Sequence, residues 1–485
     1  MEKHILSKST FIKGHQCLKA LYLHKKRPFL RDRLSAEQLA KFKRGHKVGD
    51  MAHQLFPGGI DVSPKSPSQY QKSVLQTQEL IANGQRIIYE ATFQFNKVLV
   101  MLDIFVKTDN GWEAYEVKSS LRLSETYFTD AALQYYVITN SGLDLASFSL
   151  VYVNENYELQ EAEKIDVEQY FIKQNVSAEI KLKQAEISSK IEEEIKLLSE
   201  AHSPKIEVGA HCFSPYSCDF FGFCWKTKAT DLFKLPALID SERKKWLDQS
   251  ILSADDLVKE NLNNPLASKQ LNALISDQDF LSDKLKSQLP ALAKDSVYLS
   301  FVARQAAVPQ CTGHQPYQYQ LFAYSMLAEE TQNTNLYSGI CSDYKTFLED
   351  WMAQLRSASQ IVVFDKAAIE KILDQTSAQY PDLKAETEVL QKKIIGIKQW
   401  VLDGDYYYPG LKHDLVFKEF AKLILKKNPF AKQAISSDVL AINKYEELIG
   451  NGYLMDTNQA DSEPLFNYIN SSALSLNALL NRINE

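Results

Sequence analysis

Residues 86–118 decide the fold, and they read RIIYEATFQFNKVLVMLDIFVKTDNGWEAYEVK. Alternating apolar and polar residues, rich in β-branched and aromatic types, predict three strands in this stretch. Asn-Lys and Asp-Asn-Gly separate the apolar runs and supply two tight turns. The stretch therefore predicts three sequential strands joined by short connections.

The spacing of charged residues places several of them on one face of these strands. Because side chains alternate between faces, a turn centred on Asn-Lys sets Asp103 opposite Glu90. A second turn centred on Asp-Asn sets Asp103 opposite Glu116, whereas one centred on Asn-Gly sets it opposite Lys118. Either turn leaves all four residues on one face, so the sequence predicts a row of three carboxylates beside an ammonium group.

The other face of the three strands is apolar and is predicted to be the core side. It consists of Ile87, Tyr89, Ala91, Phe93, Phe95, Val98, Val100, Leu102, Ile104 and Val106, with Tyr115 and Val117 beyond.

The acidic row predicts a cation site. Directly opposed side chains in a sheet lie about 4.5–5.5 Å apart at Cβ, where like charges repel. Carboxylate ligands favour Mg²⁺ or Mn²⁺ over zinc. Lys118 beside such a metal would orient or help deprotonate an attacking water and neutralise charge at a phosphate. The alternative is a solvent-facing acidic row with an unrelated lysine.

The pattern D-x12-E-x-K formed by Asp103, Glu116 and Lys118 resembles the core motif of the PD-(D/E)XK nucleases, and of their RecB-like branch in particular. The resemblance implies a metal bound by Glu90, Asp103 and Glu116, with Lys118 at the attacking water. Phosphodiester hydrolysis in DNA is the implied reaction.

The helix that follows the strands in the RecB-like branch carries Q-x3-Y. The resemblance implies a catalytic role for Gln134, whereas the tyrosine position is occupied by Ile138. Tyr136 is the nearby substitute and is predicted to bind substrate.

A histidine on a helix before the strands assists the metal in this branch. Its expected place falls at Gly49, with His46 and His53 about one turn to either side. His53 is predicted to be a metal ligand, and a structural histidine is the alternative.

Four of the six cysteines can be explained together as ligands of one group. Cys17 lies near the start of the chain, and Cys212, Cys218 and Cys224 follow much later with C-x5-C-x5-C spacing. In a cytosolic chain such a set favours metal or cluster ligation over disulfides. Some RecB-like nucleases tie one N-terminal and three C-terminal cysteines around a 4Fe-4S cluster, which the resemblance implies here. A structural Zn²⁺ on the same four thiolates and four independent buried thiols are the alternatives.

Length and charge bound the remaining possibilities. The chain has 485 residues, 45% hydrophobic and 24% charged, which is typical of a soluble protein of two or three domains. It has no long apolar run and no secretory signal pattern, so a cytoplasmic protein without a membrane segment is expected.

Positive charge is concentrated near the start of the chain. The net charge of −6 argues against a general nucleic-acid-coating protein, yet residues 1–50 carry nine lysines and four arginines against four acids. This basic arm, interleaved with Phe11, Tyr22 and Phe29, would lie along phosphates or form a solvated face.

The layout resembles a bacterial family that joins a RecB-like nuclease to a C-terminal DnaQ-like exonuclease domain. The expected fold is α/β: a restriction-endonuclease-like core with helical flanks over 1–230, a helical bridge over 231–295, and an RNase H-like domain over 296–485.

The carboxylates that hold metals in DnaQ-like domains are missing. Ser300 and Val302 stand at the first positions, Ile395 or Gly396 at the middle one and Ser472 at the last. Two bridging metal ions would have no ligands, so a pseudo-exonuclease is predicted.

Other residues of this second domain have simpler interpretations. Residues 406–408 are three tyrosines that would either stack on DNA or lie in the core. Cys311 and Cys341 are predicted to be ordinary buried thiols.

Taken together, these features predict a Mg²⁺- or Mn²⁺-dependent deoxyribonuclease acting on single-stranded or end-containing DNA in repair, recombination or phage defence. Implied partners are DNA and a helicase or other repair protein. The alternative is a catalytically inactive nucleic-acid-binding or scaffold protein that carries an iron–sulfur cluster.

Overall fold

The computed structural model describes residues 4–162, 164–260, 262–328, 331–337, 341, 343–450 and 460–485. They form two compact units, Met1–Tyr157 with Lys164–Thr227, and Glu158–Glu163 with Lys228–Glu485. Each unit combines a sheet with helices, so the expected α/β class is confirmed at this coarse level.

The first unit contains seven strands and nine α-helices among its described residues. The strands are β1 Leu6–Ser7, β2 Ile60–Asp61, β3 Ile87–Phe95, β4 Val98–Thr108, β5 Gly111–Lys118, β6 Leu145–Val153 and β7 Phe171–Asn175. The helices are α1 Lys8–Gln16, α2 Leu18–Lys26, α3 Ala36–Ala52, α4 Tyr70–Ala82, α5 Glu125–Asn140, α6 Val167–Tyr170, α7 Ser177–Leu182, α8 Gln184–Ser199 and α9 Phe221–Cys224. Short 3-10 turns lie at Pro28–Leu30, His53–Leu55, Pro67–Gln69 and Ala210–Cys212.

All seven strands join one mixed sheet. Its order is β2-β3-β4-β5-β6-β7, and β1 pairs with β4. The three central strands β3, β4 and β5 are antiparallel, β6 runs parallel to β5, and β7 returns antiparallel. The meander predicted from residues 86–118 is confirmed.

Both turns are centred within the predicted segments. Asn96 and Lys97 have φ of 44° and 63°, the left-handed pair that a two-residue hairpin turn requires. The second turn pairs Thr108 with Gly111, so it is centred on Asp-Asn rather than Asn-Gly. These registers set Asp103 opposite both of its predicted neighbours.

A kink at Glu90 changes which face of the sheet meets the main core. Glu90 has φ of 54°, a conformation that a non-glycine residue seldom adopts inside a strand. Ala91 and Leu102 lie in the main core of the unit as predicted, but before the kink this core contains Ile88 and Phe105 instead. Tyr89, Ile104 and Val106 of the predicted core face are buried as well, so that face is buried as predicted, but at this end of the sheet the opposite face also contributes to the main core.

Helices cover the apolar faces. The buried stripe of α5 packs on β3, β4 and β6 and meets α7 and α8. Apolar positions are sparse in the charged segment from 160 to 200, which predicts a long surface helix. The segment instead contains strand β7 and helix α8. Ile187 and Ile191 of α8 are buried in the core, so that prediction was wrong.

The second unit contains a further seven strands and eleven α-helices among its described residues. The strands are β8 Phe280–Leu281, β9 Ser296–Gln305, β10 Tyr319–Ala328, β11 Thr331–Leu336, β12 Gln360–Val363, β13 Ile394–Gly396 and β14 Tyr406–Tyr407. The helices are α10 Asp240–Asp248, α11 Ala254–Lys259, α12 Pro265–Ser276, α13 Asp283–Asp295, α14 Tyr344–Leu355, α15 Lys366–Gln379, α16 Lys384–Gln391, α17 Ile397–Asp403, α18 Phe417–Ile424, α19 Asp438–Gly450 and α20 Glu463–Asn484. Its 3-10 turns are Asp231–Lys234 and Pro381–Leu383.

The main sheet of this unit has the order β11-β10-β9-β12-β13, with β12 and β13 parallel to β9 and the other two strands antiparallel. Ser300 and Val302 lie buried on the central strand β9. Ser472 lies on α20, where its hydroxyl donates to the carbonyl of Tyr468. Gly396 ends β13.

Tyr406 and Tyr407 are buried in the core, which for these two residues confirms one of the two alternatives that the sequence left open, the core location. The prediction for the two cysteines of this unit was wrong. Cys311 and Cys341 are not free thiols but form a disulfide, with Cα atoms 5.0 Å apart.

The described helices were also compared with the requirements of a membrane span. None is both long enough and apolar enough to cross a bilayer.

Candidate functional site

The predicted acidic residues converge on the central strands of the first unit. Asp103 of β4 accepts a hydrogen bond from the backbone N–H of Val117 at 2.5 Å, which holds its carboxylate against β5. Glu116 of β5 is almost fully buried, with 2% of its surface exposed. Glu90 at the kink of β3 is close enough for its charge to act on both other carboxylates.

Two ammonium groups meet these carboxylates. Lys118 Nζ lies 2.7 Å from Glu116 Oε1 and 2.5 Å from Asp130 Oδ2 of α5. Lys8, the first residue of α1, places its Nζ 2.7 Å from the same Oε1 and 3.5 Å from the carbonyl of Met101. Lys8 and Asp130 were not predicted, so the site has one more cation and one more carboxylate than expected.

Crowding and burial set the protonation of the acids. Burial raises the pKa of Glu90 to about 7, with Glu116 adding to the rise and Lys8 opposing it. Burial and the neighbouring Glu116 also raise the pKa of Asp103 well above its ordinary value. Burial opposes ionisation of Glu116, yet Lys118 and Lys8 hold its pKa below the usual range. Glu116 is therefore the most firmly ionised of the three.

Both lysines are held in the charged form. Burial lowers the pKa of Lys118, but Asp130, Glu116 and Asp103 outweigh it and raise the pKa well above the ordinary value. Lys8 shows the same balance, with burial opposed by Asp130 and Glu116 and a raised pKa as the result. Each is an ammonium group rather than a neutral base at physiological pH.

The chemistry of the donors fits a divalent cation. Three carboxylates suit an oxygen-ligated ion, and the buried Oε2 of Glu116 has no hydrogen-bond partner among the described residues. Within that same part of the chain, no group of three or more His, Cys, Asp or Glu side chains is arranged to hold a metal ion. The Lys8 ammonium group, rather than a metal ion, provides positive charge at the Glu116 carboxylate in this structure.

The two α5 residues proposed for substrate and catalysis occupy different surroundings. Gln134 is fully buried one helical turn after Asp130, and neither atom of its amide has a partner among the described residues. Tyr136 lies away from the acids, with its ring 5.9 Å from Phe95 and its hydroxyl 3.4 Å from Ser188. The structure thus keeps Gln134 beside the site residues but directs Tyr136 elsewhere.

His53 lies next to the acidic cluster without a contact to its carboxylates in the structure. Its ring stacks on Tyr89, with centroids 3.9 Å apart and planes within 5°. Burial lowers the pKa of His53, while Asp61 and Asp50 oppose the shift. It is a neutral ring beside the residue that precedes Glu90.

The four predicted cysteines line one small cavity in the first unit, together with His211. All four are free thiols. Cys17 follows α1, whereas the other three lie on the segment that closes this unit, so the cavity joins its two ends. The four cysteines that the sequence predicts to act together therefore lie close to one another in the structure.

Backbone groups favour sulfur ligands at this cavity. Burial raises the pKa of Cys17, opposed by hydrogen bonds to its sulfur from the backbone N–H groups of Ala20 and Lys19. Burial raises the pKa of Cys218 to about 11, against a hydrogen bond from the N–H of Phe220. At Cys17 and Cys218, therefore, burial favours the protonated thiol while the backbone N–H groups favour the thiolate, the form in which a cysteine binds a metal.

The cysteine segment is also held to the basic arm by ion pairs. Asp219 meets Lys13 at 2.7 Å and Arg31 at 3.0 Å. The backbone N–H of Asp32 donates to the carbonyl of Asp219 at 2.7 Å, and the Asp32 carboxylate accepts from Gly222. The arm and the cysteine segment are therefore one connected surface.

The aromatic residues of the arm divide between core and solvent. Phe11 and Tyr22 are buried, so they are not available to a nucleic acid. Phe29 is 80% exposed, and Leu39 and Phe42 of α3 are about half exposed. Among the described residues of the arm, the exposed large apolar side chains therefore lie in its second part, together with positive charge.

Comparison with known proteins assigns no chemistry. Residues 297–414 match a family described as a domain of unknown function, DUF2779. The match lies within the second unit and leaves the acidic cluster and the four cysteines outside it. No curated protein matches the chain.

The two unpredicted residues differ in how far a sequence signal could reveal them. Asp130 lies four residues before Gln134, the spacing that places both on one helix face, so the helix motif pointed to its position. Lys8 reaches the site only through the pairing of β1 with β4, which joins distant parts of the chain. No local pattern marks it.

Proposed function

We propose that this protein is a Mg²⁺- or Mn²⁺-dependent deoxyribonuclease that hydrolyses phosphodiester bonds, with single-stranded or end-containing DNA as substrate. The observation that carries the proposal is the meeting of Glu90, Asp103, Glu116 and Lys118 on three adjacent strands. The resemblance of the same residues to the RecB-like PD-(D/E)XK motif supports it.

The roles follow from the charges of the groups. A divalent cation bound by Glu90, Asp103 and Glu116 would lower the pKa of a water and stabilise charge on the phosphate. Lys118 is an ammonium group fixed by Asp130, so it donates a hydrogen bond to the water or to a phosphate oxygen as negative charge develops there. It acts through charge and position rather than by removing a proton.

The buried Gln134 completes this assignment. Its amide has both a donor and an acceptor without a partner among the described residues, and such a group is costly to bury. We assign it to hydrogen-bonding the substrate or the nucleophile. His53 remains proposed as an assisting metal ligand, which would require its ring to leave the stack on Tyr89.

We assign the four cysteines a 4Fe-4S cluster, with a structural Zn²⁺ as the alternative. Their shared cavity and the N–H groups directed at sulfur support ligation over independent thiols. Ligation would fix the segment around residues 212–224 to the end of α1, where Cys17 lies.

The second unit is proposed to be a DnaQ-like pseudo-exonuclease. Ser300, Val302 and Ser472 are buried where the resemblance expects metal-binding acids, and none of them supplies a carboxylate. A cytoplasmic location and a helicase or other repair protein as partner are proposed on the resemblance alone.

A second candidate function is DNA binding without cleavage. It is favoured by Lys8, whose ammonium already neutralises Glu116 and competes with a metal for its carboxylate. In that case the acidic cluster would be a structural ion network.

Digestion of an end-labelled single strand in Mg²⁺ separates the two functions. Wild type should degrade the strand, Lys118→Ala should lose at least 99% of the rate, and the exposed Lys72→Ala of α4 should retain it. Equal degradation by wild type and Lys118→Ala would assign the activity to a contaminant or to another site of the protein. Binding without degradation by wild type would favour the second candidate. If wild type degrades the linear strand, a circular single strand distinguishes cleavage at ends from internal cleavage.

A further inference from the structure

An exposed tyrosine lies in the segment between two of the clustered cysteines. Tyr216 keeps 42% of its surface exposed. Lys41 of α3 places its Nζ 4.9 Å from the centroid of the Tyr216 ring, a cation–π distance. The pair forms a flat aromatic surface with a positive charge at its face.

The backbone that carries Tyr216 is held in place. The N–H of Cys218 donates to the carbonyl of Cys212 at 2.9 Å, which closes the segment into a loop. Gln16 of α1 donates from Nε2 to the carbonyls of Tyr216 and His211, each at 2.7 Å. The ring therefore extends from a fixed loop.

This loop borders the candidate active site. Gln16, which holds the Tyr216 carbonyl, lies on α1, and the first residue of that helix, Lys8, contacts Glu116. Lys41 lies on α3, which packs on β5, the strand that carries Glu116 and Lys118. The two elements that contact Tyr216 therefore also contact the site.

We propose that Tyr216 stacks on a nucleobase next to the scissile phosphate, with Lys41 contacting a neighbouring phosphate of the same strand. The inference rests on the proposed nuclease function and names how the strand is positioned. Aromatic stacking tolerates any base, since every base has a π-face, so this contact would serve a sequence-independent enzyme. The cysteine-bearing loop would then be part of the substrate site.

Base-dependent binding tests the proposal. The full-length protein is titrated with a fluorescent thymidine strand of about twelve nucleotides and with an abasic strand of equal length, in Ca²⁺ instead of Mg²⁺ to prevent cleavage. Wild type should prefer the strand with bases. Tyr216→Ala should lose about tenfold in affinity for it and little for the abasic strand, whereas Tyr216→Trp should retain the preference.

Three further variants separate stacking from other effects. Phe223→Ala removes an aromatic of 41% exposure from the same cysteine-bearing segment and should leave the preference unchanged. Gln16→Ala loosens the loop and should reduce the preference partially. Lys41→Gln should weaken binding of both strands and lower the salt dependence by about one phosphate contact.

The outcomes distinguish this inference from the function on which it rests. If wild type neither binds nor cleaves either strand, the nuclease proposal falls and the stacking role falls with it. If wild type binds and cleaves but Tyr216→Ala keeps the full preference for bases, the stacking role is overturned and the nuclease proposal stands. Thermal melts and metal content equal to wild type confirm that the variant is folded.

Discussion

Lys8 and Lys118 donate to the same oxygen of Glu116, each at 2.7 Å. One lysine comes from the start of α1 and the other from the end of β5, so the buried carboxylate connects the N-terminal helix to the centre of the sheet. Glu116 is 2% exposed, and without these cations its charge would be strongly unfavourable. Lys8 thus supplies positive charge that a bound divalent cation would otherwise supply.

Replacing Lys8 should make the first unit depend on metal. In the presence of EDTA, Lys8→Met should lower the free energy of unfolding by about 1–3 kcal/mol because Glu116 keeps only one cation partner. Mn²⁺ should recover most of this loss, because the Glu116 carboxylate can then bind the metal ion without competition from Lys8. Urea denaturation in EDTA and in Mn²⁺ measures both effects.

The exposed Lys72→Met variant controls for the loss of a lysine. It should behave like wild type in both buffers. A Lys8→Met protein that gains no more from Mn²⁺ than Lys72→Met does would show that Lys8 and the metal do not compete.

Asp130 should act as a positioning residue for Lys118. Its carboxylate lies 2.5 Å from the ammonium group, and replacing it by an amide keeps the shape but removes the charge that orients this group. Asp130→Asn should lower kcat by about 10- to 100-fold with KM within about twofold of wild type. Steady-state kinetics on a labelled single strand measures kcat and KM separately.

Glu125→Gln is the matched control, because Glu125 lies on the same helix with 88% of its side chain exposed and its carboxylate makes a long ion pair of 3.4 Å with Lys183. Its kcat should equal that of wild type. A rise in KM at constant kcat for Asp130→Asn would instead assign this carboxylate to substrate binding.

The predictable part of this site is the part fixed by local rules. Two tight turns determine the register of β3, β4 and β5, so Asp103 lies opposite its predicted neighbours. The kink at Glu90 was not predictable, because a positive φ at a glutamate is imposed by tertiary contacts rather than by intrinsic preference. Lys8 was missed for a related reason, since only the pairing of β1 with β4 places it there.

The interior of the first unit shows the same division between local and tertiary information. The sequence after the three strands predicts a helix over 125–141 as part of an α/β unit, and the structure has one over Glu125–Asn140. The charged run around α8 was read as solvent-facing, but its apolar residues at three- and four-residue steps pack into the core. The many charged residues of this segment made the amphipathic pattern of the helix hard to recognise. They also gave no sign that one of its acids, Glu194, is buried.

The four clustered cysteines should share one metal centre. Cys17→Ser and Cys218→Ser should each lower the bound iron and acid-labile sulfide of anaerobically purified protein by at least half, because a cluster needs all four thiolates to be held firmly. The double variant Cys311→Ser/Cys341→Ser should keep both, since that pair is a disulfide in the other unit. Metal analysis and visible absorption measure the outcome.

Zinc without sulfide in wild type, lost equally in Cys17→Ser and Cys218→Ser, would replace the cluster by a structural Zn²⁺ on the same ligands. Stoichiometric metal that survives both substitutions would show that these thiols are not ligands.

Glu194 should make the stability of the first unit depend on pH. Its side chain is fully buried on α8, and neither carboxylate oxygen has a hydrogen-bond partner among the described residues. A Cβ added to Gly14 of α1 would lie 2.4 Å from this carboxyl group, so the acid is enclosed against that helix. Burial raises its pKa from 4.5 to about 9, with Lys190 opposing the rise and Glu193 adding to it.

The sign of the effect follows from the direction of this shift. The folded protein keeps the Glu194 proton that the unfolded chain releases above its pKa of 4.5, so stability falls as the pH rises from there towards 9. Glu194→Gln removes the titrating group and should therefore stabilise the protein more at about pH 8 than at about pH 5, by up to roughly 1.4 kcal/mol per pH unit. Urea denaturation at both values measures the difference, with the partly exposed Glu193→Gln of the same helix as control. Parallel stability curves for wild type and Glu194→Gln would show that the carboxyl group is ionised in the folded protein.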